Sequence, residues 1–590
     1  MSYVTGIAVC FPVQDNCQRP DYASNLTISL PFSDRKYDFM PINNRPNLID
    51  SIAERNRNQS SGKPQRPLLR LFSIGLAITI SGCGPKPDSK VEKGKTEAGD
   101  SKAAKANAGA TADDVLTSAV YQLRPENYGV NAATDKPVNL LNSWRFKQIE
   151  ALGTPDEPVP VKAPDGWIIP DEATRLAQPQ FDGLDAIHVR DALFNRTISG
   201  FLSDRGRDEL QRAGIVVDFV SRNVAIWKID EIELPLMPFL IMQLGRGTAE
   251  DRAWVCSEIL RQLRIDCVIL RARSDLKETS DKWLLGVLVE NQICLYDLRL
   301  GLPIFGGTDD GGTLRTATLS EIVSHPEWLQ QMTGNEPYPL SVDDLRDPAV
   351  FAMSTSNFWC RRMHNLEQVL PASEQCVLYD PAVGDDGRDG LLQRLAKGGG
   401  WSAESLKLWR YPHRQIEETK LSTNEKEQEW QRLIGPFSVP ITYSYTEKRE
   451  LKLGVPERKQ QRIRSDQLLG KFGDAATRYL RIRHLEVEPN PPEIDRLNRM
   501  ASEDAFYWSG VCKFEMGEYE TAIEVLTEYL RKYDRKGKWF FPARSLLGQS
   551  HAKQGNLAEA IATLERTSSD DPCRDANAIR LKRLKEAKAK

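Results

Sequence analysis

Apolar positions recur at helical spacing through "DGLDAIHVRDALFNRTISGFL" and "RDELQRAGIVVDFVSRNVAIW", which predicts two amphipathic helices in the first half of the chain. The block "GRGTAEDRAWVCSEILRQLRIDCVILRA" follows. Gly245 and Gly247 open a turn, and Thr248 caps a helix with Asp251 three residues on. That helix is predicted to run to about Arg264, and "DCVILRA" reads as a strand. "KWLLGVLVE" and "QICLYDLRLG" supply two more strands, with Glu290-Asn291 as the hairpin turn between them. "VLYDPAVG" (Val377 to Gly384) is predicted as a further strand, within a region from Ser341 to Lys420 that otherwise reads as helical. Beyond it, "IEETKLSTNEKEQEWQRLIGP" reads as one charged helix and "FSVPITYSYTEKRELKLG" as a short hairpin or connector.

Two C-terminal segments align with each other. "AFYWSGVCKFEMGEYETAIEVLTEYLRKY" places Gly510, Gly517, Tyr519, Ala522 and Leu526 in order, and "PARSLLGQSHAKQGNLAEAIATLERTSSDDP" places Gly548, Gly555, Leu557, Ala560 and Leu564 at matching gaps. These segments resemble tetratricopeptide repeats, each a pair of antiparallel helices with small residues at their contact. A weaker copy begins at "SDQLLGKFGDAATRYLRIR", with Gly470 and Ala476. Stacked pairs of this kind leave a concave face. Two readings follow: a groove for a protein or peptide partner, or a cap packed on the domain before it.

The apolar run nearest the start has a different character. "RPLLRLFSIGLAITISGCG" combines a basic lead (Arg66, Arg70), an apolar run from Leu71 to Ile80, and Ser81-Gly82-Cys83. That is the layout of a secretory signal, and the small residues before Cys83 resemble a bacterial lipobox. The resemblance implies cleavage before Cys83, its lipidation and an anchored, extracytoplasmic protein. Gly84 lacks the aspartate associated with inner-membrane retention, which points to an outer membrane. Residues 84–113 hold one valine and no other bulky apolar residue, and so read as a disordered linker. Residues 1–65 show no sustained period and read as disordered or as a mis-assigned start, with translation beginning at Met40 or near Leu68.

Composition narrows the classes. The chain has 590 residues, 40% hydrophobic and 27% charged, which suits several globular domains. A net charge of −3 gives no nucleic-acid footprint. The ten cysteines include no C-x-x-C pair and no zinc spacing, and the Gly/Asp cluster after Leu302 lacks the Lys-Ser/Thr of a phosphate loop. No cofactor and no metal are expected. Cys360 and His364 stand four apart on a predicted helix, but two ligands do not make a site.

The middle block resembles the transglutaminase-like (papain-like) domain. "GTAEDRAWVCSEILRQLRIDCVIL" is similar to that family's catalytic helix and following strand, and "ICLYDLRLG" to its aspartate strand. The resemblance implies a thiol at the helix start, an imidazole opening the next strand, and a carboxylate at the end of the third. At these positions the chain has Ala249, Asp281 and Asp297, so only the third member is kept. Alanine cannot attack a carbonyl, and an aspartate is a poor base where an imidazole is needed. A displaced triad of Cys256, His325 and Asp297 is the alternative. Cys256 shares a helix face with Ala249 but lies nearly two turns from the helix start, among Trp254, Val255 and Ile259.

The expected organisation is then a signal over 66–83, the linker, an irregular lead-in over 114–184 and a transglutaminase-like domain with a helical extension over 185–420. A connector over 421–464 and helical repeats over 465–590 complete it. The fold class is α+β, a helix-plus-antiparallel-sheet domain followed by an all-α repeat domain. Together the parts resemble planctomycete-type surface lipoproteins. The expected role is scaffolding or partner binding without catalysis. A cysteine hydrolase or transamidase using Cys256 is the alternative, and a peptide- or glycan-binding domain in the old cleft is a third.

Overall fold

The computed structural model describes residues 111–589 apart from short stretches at 131–132, 153–157, 229–230, 278–279, 309–313, 385–386, 422 and 486–489. The signal, Cys83 and nearly all of the linker lie outside the described residues.

The three predicted strands form the centre of a sheet. They are β1 (Cys267–Arg271), β2 (Trp283–Val289) and β3 (Gln292–Asp297), followed by the short β4 (Leu302–Pro303). β5 (Ala349–Ala352) and β6 (Lys407–Leu408) join from farther along the chain, and the order is β6-β5-β1-β2-β3-β4. All pairings are antiparallel except β5 with β6. Glu290 and Asn291 both adopt positive φ, 50° and 60°, the backbone a tight two-residue hairpin demands. The strands read as unbroken apolar runs because both sheet faces are covered. Cys267, Ile269, Leu285, Val287, Cys294 and Tyr296 enter one core, and Val268, Leu270, Leu284, Ile293 and Leu295 enter the other.

Three helices pack on the first face: α1 (Gly183–Ser203), α2 (Glu209–Asn223) and α3 (Ala249–Gln262). Thr248 and Asp251 close the expected capping box on α3. The C-terminal layer is a run of helices. α4 (Lys459–Leu468) and α5 (Phe472–Ile482) form the first pair, and α6 (Pro492–Glu515) and α7 (Tyr519–Tyr533) the second. α8 (Phe540–Lys553) and α9 (Leu557–Leu564) form the third, and α10 (Arg574–Ala589) ends the chain. A Cβ on Gly510 would lie 2.7 Å from Leu526, and one on Gly548 would lie 2.5 Å from Leu564. The two repeats thus use the same glycine–leucine contact, sixteen residues apart in each, to bring their helices together.

Several expectations are corrected. The lead-in is not irregular: it holds helices at Ala112–Leu123, Asp135–Leu152 and Pro170–Ala177, the first of which takes the last two residues read as linker. Val377–Gly384 is not a strand. Its amides donate to side chains instead of a ladder, Val377 to Gln262 and Leu378 and Tyr379 to Glu367. The region 341–420 is not wholly helical, since β5 and β6 lie in it. The charged helix is two, Tyr411–Glu418 and Asn424–Ile434, because Thr423 caps a new start. The hairpin is present as Ile441–Tyr445 paired with Leu451–Pro456. No helix among the described residues is long and apolar enough to cross a membrane.

Candidate functional site

The antiparallel register of β2 and β3, with Leu285 opposite Tyr296, brings Asp281, just before β2, and Asp297, at the end of β3, to the same end of the sheet. Arg299 lies between them. Its Nη2 is 2.6 Å from Asp297 Oδ2, and its Nη1 is 3.3 Å from Asp281 Oδ2. Asp297 is fully buried and also accepts from the Arg299 and Leu300 amides and, at 2.8 Å, from the Tyr338 hydroxyl. Its oxygens are thus committed to a guanidinium, a phenol and two amides, and none of these partners is an imidazole. The two carboxylates hold the Arg299 charge in place against its burial. Ala249 is the first residue of α3, and its methyl packs against the main core.

The displaced triad is not assembled. Cys256 is 0% exposed inside that core, and burial pushes its thiol above the ordinary range, the reverse of an activated nucleophile. His325 is half exposed, stacks on Trp328 and lies 3.3 Å from Glu327. Asp297 is occupied as described. Cys360 and His364 do not form a ligand pair: Cys360 is a buried N-terminal residue flanking its helix, and His364 contacts Gln368 and Tyr379. No cluster of three metal-ligating side chains is present among the described residues.

Sequence reasoning missed the arginines that hold this end of the sheet. From the first turn of α3, Arg252 donates to the carbonyls of Val224, Leu298 and Ser221 at 2.8, 2.9 and 3.2 Å. It thereby ties the helix to the end of β3. The motif "YDLRLG" showed Arg299 two residues after Asp297, but side chains two apart on an extended strand point the same way only if the strand continues. The turn after Asp297 is what lets the guanidinium fold back.

The start of α3 carries a second polar group. Asp251 accepts from the Thr248 amide at 2.9 Å and the Tyr411 hydroxyl at 2.8 Å. Burial nevertheless pushes its carboxyl up to about 7. The folded protein therefore keeps a proton that the unfolded chain releases near pH 4, so this contribution to stability is present in acid and lost as pH rises through 7. Asp251→Asn removes the linkage. From pH 7 to 5.5 the wild type is expected to gain about 1.6 kcal/mol of stability relative to this variant, measured by denaturant unfolding at both pH values. His188, whose imidazole burial pushes down to about 4, titrates in both proteins and cancels in the difference.

The repeat layer is seated on the sheet domain through its first helices. α6 buries fourteen residues and α8 eight, against three for α7 and two for α9, so the faces a free repeat array would offer inward are filled by this chain. Arg464 of α4 is fully buried and donates to Asn223 Oδ1, the Asn223 carbonyl and the Met242 carbonyl at 3.1, 3.0 and 2.8 Å. It also lies over the Trp508 ring at 4.4 Å. Glu515 of α6 accepts from Arg222 and Arg205 at 2.7 and 3.0 Å, and Arg246 lies over Trp539.

Fold and contacts define an α+β protein with a C-terminal helical repeat layer. The tetratricopeptide repeat family matches residues 504–535, the second half of α6 with all of α7. Repeats of this kind mediate protein–protein contacts, and the match supports an interaction module. No curated protein sequence matches the chain.

Proposed function

We propose that this protein is a non-catalytic scaffold of the cell envelope, built on a transglutaminase-like domain whose catalytic positions have been retired and anchored through a lipid on Cys83. The observation that carries the reading is the Asp281–Arg299–Asp297 bridge, where an active member of that family would hold an imidazole against the aspartate. Ala249 at the helix start and the buried Cys256 support it. The repeats dock their first helices on the sheet domain, which leaves the outer faces of α7 and α9 to a protein partner.

The test compares the wild type with Cys256→Ser for amine transfer to glutaminyl peptides and for peptide hydrolysis. Both proteins are expected to match the no-enzyme background. Turnover in the wild type that Cys256→Ser abolishes would overturn the proposal. Anchoring is checked separately, because Cys83→Ala should move the protein from the membrane to the soluble fraction.

A further inference from the structure

A cavity of about 60 Å³ lies where α2, α3, the turn after β3, α6, α8 and the C-terminal segment meet. A buried water occupies about 10–15 Å³ by this measure, so the space takes about four to six water-sized atoms. Four guanidinium groups line it: Arg222, Arg252, Arg299 and Arg580. Two have carboxylate partners, Arg222 in Glu515 and Arg299 in Asp297. The other two do not. Arg252 is 6% exposed, and four of its five N–H groups go to the carbonyls of Val224, Leu298, Arg299 and Ser221, which leaves one for an anion. Arg580 is partly exposed and makes no hydrogen bond or close ion pair among the described residues, its charge being attracted only by Asp218 and Cys573. The one acid in the lining, Asp218, is partly exposed, lies 3.7 Å from Arg222 and also faces Arg580 and Lys553, so it answers only part of the positive charge. The hydroxyl of Ser221, also in the lining, is buried without a hydrogen-bond partner.

Buried charges in folded proteins are normally paired, and guanidinium forks match oxyanions. Here four guanidinium groups outnumber the acids that answer them, and they and an unused hydroxyl converge on a space of the right size. We propose that this cavity binds a small oxyanion of phosphate size, held by Arg252 and Arg580 with Ser221 donating a hydrogen bond. Arg580 belongs to α10 and Arg252 to α3, so the bound anion pins the C-terminal helix to the sheet domain. This assignment is independent of the triad reading.

The test uses inorganic phosphate on the full-length protein, against chloride at equal ionic strength. A saturable rise in Tm of a few degrees is expected at about 100-fold excess over Kd. Arg580→Ala should weaken phosphate binding about tenfold or more, since a hydrogen bond to a charged group is lost. A general salting effect of phosphate would raise both proteins equally and linearly, and that result would overturn the proposal. Cys573 lines the same cavity and is only partly buried, so it gives a second readout. Phosphate should protect Cys573 of the wild type from maleimide in a saturable way. If Arg580→Ala does not fold, the protection experiment decides alone, and labelling indifferent to phosphate rejects the site.

Discussion

Arg464→Ala is expected to lower the free energy of unfolding by about 4 kcal/mol. The side chain carries a fully buried charge whose hydrogen bonds run across the joint between α4 and the sheet domain. Its removal takes a donor from the Asn223 and Met242 carbonyls, leaves the Asn223 amide oxygen with Gln467 alone, opens a void, and uncovers the face of Trp508. Lysine does not rescue it, because a point ammonium cannot serve three acceptors and a ring face in the way a planar fork does. Denaturant unfolding followed by tryptophan fluorescence measures the change. A loss under about 1 kcal/mol would mean that the repeats are not held by this joint.

Arg299→Met is the second large effect, about 3–5 kcal/mol, because it strands the buried Asp297 carboxylate beside two amides and a phenol. The informative measurement is the double variant with Asp297→Asn. If the bridge is structural, neutralising the stranded charge should recover part of the loss, and the two changes should couple by 1 kcal/mol or more in a mutant cycle. Additive losses would show that Arg299 and Asp297 act separately and that Asp297 has some other duty.

What was legible in the chain was local. The hairpin at Glu290-Asn291, the capping box at Thr248 and Asp251, and the paired Gly510–Leu526 and Gly548–Leu564 spacings are all short-range signals, and the structure follows them. β5 and β6 were not legible, since strands of four and two residues carry too little pattern to separate from a helix end. α4 shows the limit most clearly. "KQQRIRSDQL" has almost no apolar periodicity, yet Gln460, Gln461, Arg464, Ser465 and Gln467 are all buried in it. Their burial depends on partners far away in sequence, such as Tyr128 for Gln461 and Gln243 for Ser465, which no local pattern records. The same holds at the candidate site. Ala249 and Asp281 could be read from a resemblance, but that Arg299 spans the gap between Asp281 and Asp297 depends on the turn that follows β3.

The most direct measurement of the central claim is the order in which thiols of the folded protein react with a small electrophile at neutral pH, mapped by peptide mass spectrometry. Cys573 is the least buried of the described cysteines and should be modified first, slowly, because burial raises its pKa to about 11. Cys256 should react only after denaturation, as a core thiol does. Rapid single-site modification of Cys256 in the folded protein would contradict the account and favour a thiol enzyme.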